Sequence, residues 1–575
     1  MTRLFNNPDD FADELVEGFA AASARWVRAV PGGVVRSTRS TEPKVAVVIG
    51  GGSGHYPAFG GLVGPGLAAG AAMGNLFASP SAQQVHSVAR NADQGRGVLF
   101  SFGNYAGDVL HFGEATERLA ADGIEARTVL VTDDIWSAPS DQQEKRRGIA
   151  GDLAVFKVAG AAAERGLDLD EVERVARVAN ARTRSFGVAF GGCTLPGATE
   201  PLFTVPEGRM AVGLGIHGEP GIDEVEIPTA EGLAELFVAK LLQEVPDGVS
   251  VDGARVVPIL NGLGRVKYEE LFVVYRTVHR LLAEAGVQVV DPEVGEFCTS
   301  FDMAGASLTL LWLDDELERL WSDPADSAGF RRGSVSGQVA VTDADVALRS
   351  PEERIAPGSE ASQSAATTAG AVLAAVARAL DDAADELGRI DRIAGDGDHG
   401  IGMQRGSRAA ARAAEEAVAA GAGIGSVLRV AGDAWSDKGG GTSGAIWGRI
   451  LSSAGEVLGD QDAVARDRAR DAVLRTRDAV TEFGKAEVGD KTLVDALVPF
   501  VETFAARLDD GADPLTAWEE AADAAQVAAD ATADLLPKRG RARSHGEKSL
   551  GTADPGAVSL ALIAATAHGS LRTRD

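Results

Sequence analysis

An α/β domain of two lobes, followed by an all-helical domain of eight helices, is the fold class expected of this 575-residue chain. Three observations predict it. From about residue 44 to 330, short apolar runs alternate with helical stretches, the pattern of strands covered by helices. From about 323 to 362 the text turns to Ser, Asp, Pro and Gly without sustained periodicity. Beyond that, Ala dominates and strand signals vanish. The expected boundaries are 1–330 for the α/β domain, with lobes at about 1–195 and 196–330, a linker at 331–362, and helices over 363–575.

Taken in order, Lys44-Val-Ala-Val-Val-Ile49 reads as a buried strand running into Gly50-Gly-Gly-Ser-Gly54. Gly97 to Phe102 and Arg127 to Val131 read as two more, and Val256 to Leu260 and Val287 to Val290 begin a later set. Leu233 to Val245 and Glu269 to Gly286 carry helical spacing. A break near Pro196 to Val205 separates the lobes. Ser350-Pro-Glu-Glu-Arg-Ile-Ala-Pro-Gly-Ser359 is a linker by composition. Leu373, Val376, Leu380 and Leu387 then lie on one face of a helix. Seven more helices are expected near 407–420, 426–436, 442–457, 461–482, 490–508, 514–534 and 555–568.

The net charge of −29 disfavours nucleic acid and anionic membranes as general partners, because the long-range field repels polyanions. Two cysteines, Cys193 and Cys298, make no disulfide framework, as in a reducing compartment. The opening residues lack the layout of a signal peptide, and no run of 18 apolar residues spans a membrane. A cytoplasmic protein is the expectation.

Several constellations carry chemistry. The Gly50–Gly54 run before His55 is a plausible backbone cradle for a phosphate or hydroxyl, or a turn needed for packing alone. Asp108, in Gly103-Asn-Tyr-Ala-Gly107-Asp108, sits past a strand end, suited to proton transfer or to capping a helix. His217 is enclosed by glycines in Gly213-Leu-Gly215-Ile-His217-Gly218-Glu219-Pro220-Gly221, with little core to fill. An exposed imidazole there suits an acid, base or nucleophile. Asp391, Asp396, Asp398 and His399 fall within nine positions around Gly395, Gly397 and Gly400. They are either metal-directed oxygens or a solvated acidic face.

The order of eight motifs resembles the dihydroxyacetone kinase family. In the first domain they are Gly-Gly-Gly-Ser-Gly-His, Gly-Asn-Tyr-Ala-Gly-Asp, Gly-Ile-His-Gly-Glu-Pro-Gly and Thr299-Ser-Phe-Asp-Met-Ala-Gly305. In the second they are Gly-Asp-Gly-Asp-His-Gly, Lys438-Gly-Gly-Gly-Thr-Ser-Gly-Ala445, Val488-Gly-Asp-Lys-Thr492 and Asp554-Pro-Gly-Ala557. The resemblance implies an ATP-dependent kinase that phosphorylates a terminal hydroxyl of a short-chain ketose. It implies that the ketone is held on His217 as a hemiaminal, with Asp108 and His55 as the acid/base pair. Gly52, Gly54 and Ser79 match substrate-side positions, and Gly103 stands in that pocket. The second domain then becomes a nucleotide-binding helical barrel. Its implied magnesium ligands for two ions are Asp391, Asp396 and Asp398, and its nucleotide-side residues are His399, Gly440, Gly441, Thr442, Ser443, Arg541 and Asp554.

The departures are specific. Where the family's loop has Gly-His-Glu-Pro and then a His, this chain has Gly54-His55-Tyr56-Pro57-Ala58-Phe59. Gly103 replaces a common Lys, and Gly402 a common Asn. Lost polar groups and added aromatic bulk imply a related ketose, and Gly103 suggests room for one more hydroxymethyl group. Erythrulose therefore stands beside dihydroxyacetone as the expected substrate. A flavin-nucleotide cyclising lyase and a non-catalytic ketose sensor are the alternatives. The aperiodic stretch from about 323 to 362, roughly 40 residues long, would let one chain's helical domain serve another's substrate domain, so a homodimer with possible domain exchange is expected.

Overall fold

The computed structural model describes residues 4–213, 215–216, 223–333, 337–340, 342, 356–394, 397–539 and 546–573. It divides into two compact units, Met1–Ser350 and Pro351–Asp575.

The first unit holds two sheets. Strands β1 (Val27–Val30), β2 (Gly33–Arg36), β3 (Thr38–Ser40), β4 (Ala46–Ser53), β5 (Gly70–Leu76), β6 (Val98–Gly103) and β7 (Ala126–Val131) come first. All but β3 form a six-stranded sheet in the order β1-β2-β5-β4-β6-β7. Its β5-β4-β6-β7 portion is parallel. Alternation along β4 sends Ala46 and Val48 to one face and Val47 and Ile49 to the other. The first pair packs on helices α2 (Ala82–Ala92) and α3 (Ala106–Ala121), which follow α1 (Phe11–Ala22). The second pair packs on α4 (Asp152–Glu164) and α5 (Leu169–Ala181).

The second sheet comprises β8 (Thr183–Gly191), β9 (Arg209–Val212), β10 (Asp223–Glu226), β11 (Arg255–Gly262), β12 (Gln288–Val289), β13 (Glu293–Gly295) and β14 (Ala304–Trp312). Its order is β10-β9-β8-β14-β11-β12, with β13 beside β11. Because β8 pairs with β14, this sheet begins at Thr183, ahead of the break near Pro196 that the sequence suggests. Helices α6 (Ala230–Leu242) and α7 (Tyr268–Glu284) cover one face through Phe237, Leu241, Val278 and Leu282, and α8 (Asp315–Ser322) packs on α4. The other face contributes Val257, Ile259 and Leu311 to the apolar cluster that also contains α4. Helix α4 is therefore buried along its length, every residue from Asp152 to Ala163.

Both ends of the expected linker are structured. Residues Arg331–Arg332 pair with Ala325–Asp326, Gln338–Ala340 pairs with β3, and Gly358 N donates to Gly421 O at 2.9 Å. Strands of two or three residues are too short to leave a periodic signal.

The second unit is all-helical. Its described residues form eight helices: α9 (Glu360–Ala394), α10 (His399–Ala419), α11 (Ile424–Gly439), α12 (Gly441–Leu458), α13 (Arg466–Gly484), α14 (Val494–Asp509), α15 (Pro514–Ala531) and α16 (Pro555–Arg572). Each packs on the next, and α16 returns to α9, closing a ring. Asp513 and Asp554 cap α15 and α16, each followed by a proline whose missing N–H costs nothing in the first turn. Helix α10 starts well before the expected 407. Its first turns are Gly-rich, and Gly400 lies so close to α9 that a Cβ would stand 2.0 Å from Ala384 O.

The C-terminal residue of α4, Glu164, gathers five elements. Its carboxylate accepts from Arg36 (2.9 Å), Lys44 (2.6 Å), Gly66 N (3.2 Å), Ser40 (3.2 Å) and Gln338 (2.9 Å). Burial alone would raise its pKa, but Arg36 and Lys44 outweigh it and hold the acid at about 2. A depressed carboxylate stabilises the fold above its unfolded pKa and loses that stabilisation as pH falls toward the folded one. Glu164→Gln is expected to cost about 3 kcal/mol at pH 7. The gap in Tm from the parent, followed by thermal melts, should shrink as pH drops from 4.5 toward about 2.

Candidate active site

The chain leaving the carboxyl end of β4 meets the 297–303 segment. His55 is fully buried, its ring against Phe77 (5.1 Å between centroids) and Phe59 (6.2 Å). Its Nδ1 lies 2.7 Å from Thr299 O. A carbonyl only accepts, so the proton sits on Nδ1 and Nε2 is the basic nitrogen. The same segment clamps the chain around His55: Phe301 N donates to Gly54 O at 2.7 Å, Thr299 N to His55 O at 3.1 Å and Thr299 Oγ1 to Tyr56 O at 3.0 Å. The neighbouring Ser300 Oγ donates to Ile216 O at 2.6 Å, at the root of the segment that carries His217. His217 itself lies outside the described residues. The Thr299–Ser300 pair thus ties two distant motifs together, a role that the motif order alone does not reveal.

Asp108 is buried in the first turn of α3. Near it stand two acids that the sequence reading missed. Asp133, just after β7, accepts from Ile149 N at 2.9 Å and Gly151 N at 2.8 Å. Burial pushes its pKa up to about 6 despite those bonds. Asp152, the first residue of α4, is raised well above the usual range by burial and by the charges of Asp133 and Asp108. An Asp-Asp pair directly after an apolar strand was the available signal for Asp133; nothing marks Asp152.

Two expectations about glycines change. Gly50, Gly51 and Gly52 are not a loop: β4 continues through Ser53, and all are buried. A Cβ would stand 2.5 Å from Ala72 O at Gly50, 2.5 Å from the Phe59 ring at Gly51 and 2.7 Å from Ala78 N at Gly52. Close packing explains this run better than an anion cradle. It also brings Gly52 against the loop that holds buried Ser79. Only Gly54, with φ +104°, makes the turn into His55. Gly103 leaves no open space either, since a Cβ there would meet the Tyr105 ring at 3.1 Å and Gly148 O at 3.3 Å. Of the aromatic departures, Phe59 is buried beside His55, whereas Tyr56 is half exposed against Phe19.

In the helical unit, acids gather where α9, α10, α14 and α16 meet. Asp391 Oδ2 accepts from Gly397 N at 2.9 Å and His399 N at 3.1 Å, folding the loop back over the end of α9. Burial and the charge of Asp391 raise the pKa of Asp398. Asp554 is pushed up to about 7, first by burial and then by Asp391 and Asp495. Clustered buried carboxyls are the donor chemistry that a divalent cation relieves, so Asp391 and Asp398 fit a magnesium site. Asp396 and Arg541 lie outside the described residues, and among the described residues no group of three ligands converges. His399 is buried with both nitrogens engaged, Nδ1 with Ser443 Oγ (3.2 Å) and Nε2 with Ser559 Oγ (3.0 Å). It ties α10 to α12 and α16; Ser559 was not foreseen. Gly440 (φ +59°) and Gly441 (φ +58°) turn the chain sharply, so that Thr442 and Ser443 open α12. Gly402 packs near Gly439 O, 3.3 Å from where its Cβ would stand. The missed Lys491 donates to Leu535 O (3.1 Å) and Ser549 O (2.7 Å), pinning the segments before α16.

A cluster of buried acids beside a buried histidine on an α/β unit, in one chain with a ring of helices that gathers acids, fits an enzyme of phosphoryl transfer. Residues 17–329 match the Dak1 domain and residues 393–569 the DAK2 domain. The L-erythrulose kinase of Pectobacterium atrosepticum is 60% identical over 98% of this chain and 95% of its own length. The D-erythrulose kinase of Mycolicibacterium smegmatis is 53% identical over 98% of both. The crystal structure of the dihydroxyacetone kinase from C. freundii in complex with AMP-PNP and Mg2+ is 28% identical, with a TM-score of 0.52 over 100% of both chains. This chain belongs to the dihydroxyacetone kinase family.

Ser300→Ala removes the tie to Ile216 while leaving His55 in place. Steady-state kinetics should show kcat/KM down by about tenfold or more, while thermal melts show only about 1 kcal/mol of lost stability.

Proposed function

We propose that this protein transfers the γ-phosphoryl group of ATP to a terminal hydroxyl of erythrulose, the L form first, with the ketose held as a hemiaminal on His217. The observation that carries this reading is the Thr299–Ser300 junction, whose two residues bond His55 and Ile216. A buried imidazole and the residue before His217 are thereby tied to adjacent residues, which supports this reading.

In the first step an imidazole nitrogen of His217 bonds to the carbonyl carbon. The carbonyl π pair passes to its oxygen, which is protonated as the imidazole gives up its N–H proton. His55 Nε2, fixed as the basic nitrogen, relays that proton. A polyol without a carbonyl forms no such bond, and a small ketose gains both affinity and orientation from it. In the second step the terminal hydroxyl oxygen bonds to the γ-phosphorus, the bond to the β–γ bridging oxygen breaks, ADP leaves and Asp108 takes the hydroxyl proton. Asp391, Asp396 and Asp398 would hold two magnesium ions, which would supply neutralising charge to the phosphates. His399, Gly440, Gly441, Thr442, Ser443, Arg541 and Asp554 frame the nucleotide. Gly52, Gly54, Ser79 and Gly103 shape the walls of the sugar site.

In this reading residues 1–330 bind the ketose, 331–362 link, and 363–575 bind ATP, in a cytoplasmic homodimer whose domains serve across chains. No helix among the described residues is long and apolar enough to cross a membrane.

The test is a coupled ADP-release assay over three- to six-carbon ketoses. The highest kcat/KM is expected with L-erythrulose; a tenfold preference for dihydroxyacetone would sink the substrate assignment. His217→Ala should abolish turnover of every ketose, and Asp108→Asn should lower kcat by about 10²–10⁴ with little change in Tm. Flavin-nucleotide cleavage that survived His217→Ala would point to the lyase instead.

A further inference from the structure

The segment that carries His217 leaves the second sheet between β9 and β10, whose paired residues run from Arg209 to Val212 and from Asp223 to Glu226. The connection over 213–222 is long for an antiparallel pair, where short turns are the rule. A nucleophile carried on it needs close placement, and each backbone residue that must be fixed costs entropy. The approach to His217 is held at both ends. At the end nearer His217, Ser300 Oγ donates to Ile216 O. At the other end, contacts converge on Gly213. Its N donates to Gly187 O of β8 at 2.9 Å, and Arg147 Nη2 donates to its carbonyl at 3.3 Å. The Trp136 indole lies so close that a Cβ at Gly213 would stand 1.7 Å from Cδ1.

Arg147 and Trp136 are themselves fixed by one buried carboxylate. Asp134, 1% exposed, accepts from Arg147 Nε (3.2 Å) and Nη2 (2.9 Å) on Oδ2, and from Trp136 N (3.1 Å) on Oδ1. Backbone bonds close the frame, with Asp134 N donating to Arg147 O at 3.1 Å and Arg147 N to Ser137 Oγ at 2.9 Å. Phe186 meets the indole edge-on at 5.3 Å, and the Lys240 ammonium stands 4.6 Å from its centroid. A planar guanidinium gripped by a carboxylate has a set direction, so its reach to Gly213 O is aimed in advance. For stability alone, a buried ion pair is a costly way to hold one loop carbonyl.

We propose that Arg147, backed by Asp134, is a positioning residue for His217. It fixes the Gly213 end of the segment whose other end Ser300 fixes, and the two anchors set where the imidazole meets the ketone carbon. The proposal rests on the hemiaminal reading above. A bond between the imidazole nitrogen and the carbonyl carbon forms only from a near-attack placement. Loosening either anchor therefore slows the reaction and lowers the fraction of bound ketose held as the adduct. Nucleotide binding, assigned above to residues 363–575, does not depend on this segment.

Arg147→Met removes the donors and keeps most of the stem, and Arg147→Lys keeps the charge. Because Arg147→Met strands the buried Asp134 carboxylate, a second variant, Asp134→Asn with Arg147→Met, removes both charges and is expected to fold. Steady-state kinetics are measured for erythrulose and ATP, beside thermal melts. Carbon-13 NMR with erythrulose labelled at the carbonyl carbon separates free ketone from the tetrahedral adduct. Both Met variants should lose about 30-fold in kcat/KM for erythrulose, with KM for ATP within about twofold of the parent. Their adduct signal at saturating ketose should shrink, and the Lys variant should fall between. Arg147→Met combined with Ser300→Ala should lose less than the product of the single losses, because both anchors serve one segment. A full adduct signal with kcat/KM within about threefold in the Met variants overturns the proposal. So do multiplicative losses in the combined variant, or equal losses on erythrulose and ATP. If the parent shows no adduct, the hemiaminal reading fails. If the parent shows it and the Met variants keep it, only the role of Arg147 fails.

Discussion

Helix α4 has no exposed face, and the first unit is organised around that burial. A helix buried from Asp152 to Ala163 must be apolar all round, and most of it is Ala, Val, Leu and Phe. Gly160 lets it approach the chain so closely that a Cβ would stand 2.5 Å from the Cα of Leu67. Its one internal cation, Lys157, is satisfied by Leu320 O at 2.7 Å, and burial still pulls its pKa down to about 7. The ends of the helix carry the consequential polar groups. Glu164 at one end fastens strands and loops through its carboxylate; Asp152 at the other lies beneath the candidate chemistry. A shift of α4 would disturb both at once, because a close-packed interior transmits displacement and does not absorb it.

The site depends on a second constraint, exerted by the backbone. His55, the Gly54 turn and Ile216 are held by Thr299, Ser300 and Phe301, largely through main-chain atoms. Main-chain groups cannot change rotamer, so the imidazole gains a fixed tautomer and direction with little side-chain entropy to lose. In the helical unit carboxylates do the comparable work. Asp391 and Asp495 each bind two loop amides, and Asp554 caps α16. The charges gathered there raise the pKa of Asp398 and Asp554, the electrostatic condition in which a divalent cation bound with a nucleotide is most favourable.

Much of the fold was legible in the sequence, for identifiable reasons. Buried parallel strands such as Val98–Gly103 are continuous apolar runs bounded by glycine, and amphipathic helices such as α14 carry their stripe openly. The failures share a cause. Glycine has the same letter in a turn and in a tight packing contact, so Gly50–Gly52 passed for a loop and Gly103 for open space. Glycines also hid the first turns of α10. The strands around 331–340 were too short to show a period.

From its sequence alone, the chain determined its two classes of secondary structure, its family and the types of residue available for chemistry, because periodicity and motif order are local properties of the text. Which of those residues meet was decided by tertiary structure. Ser300 reaches Ile216 across 84 residues and Thr299 reaches His55 across 244, distances over which sequence carries no contact information. Asp152 looks like any helix-opening aspartate until burial removes its water and its partners. The two sheets packed on α4 account for that burial.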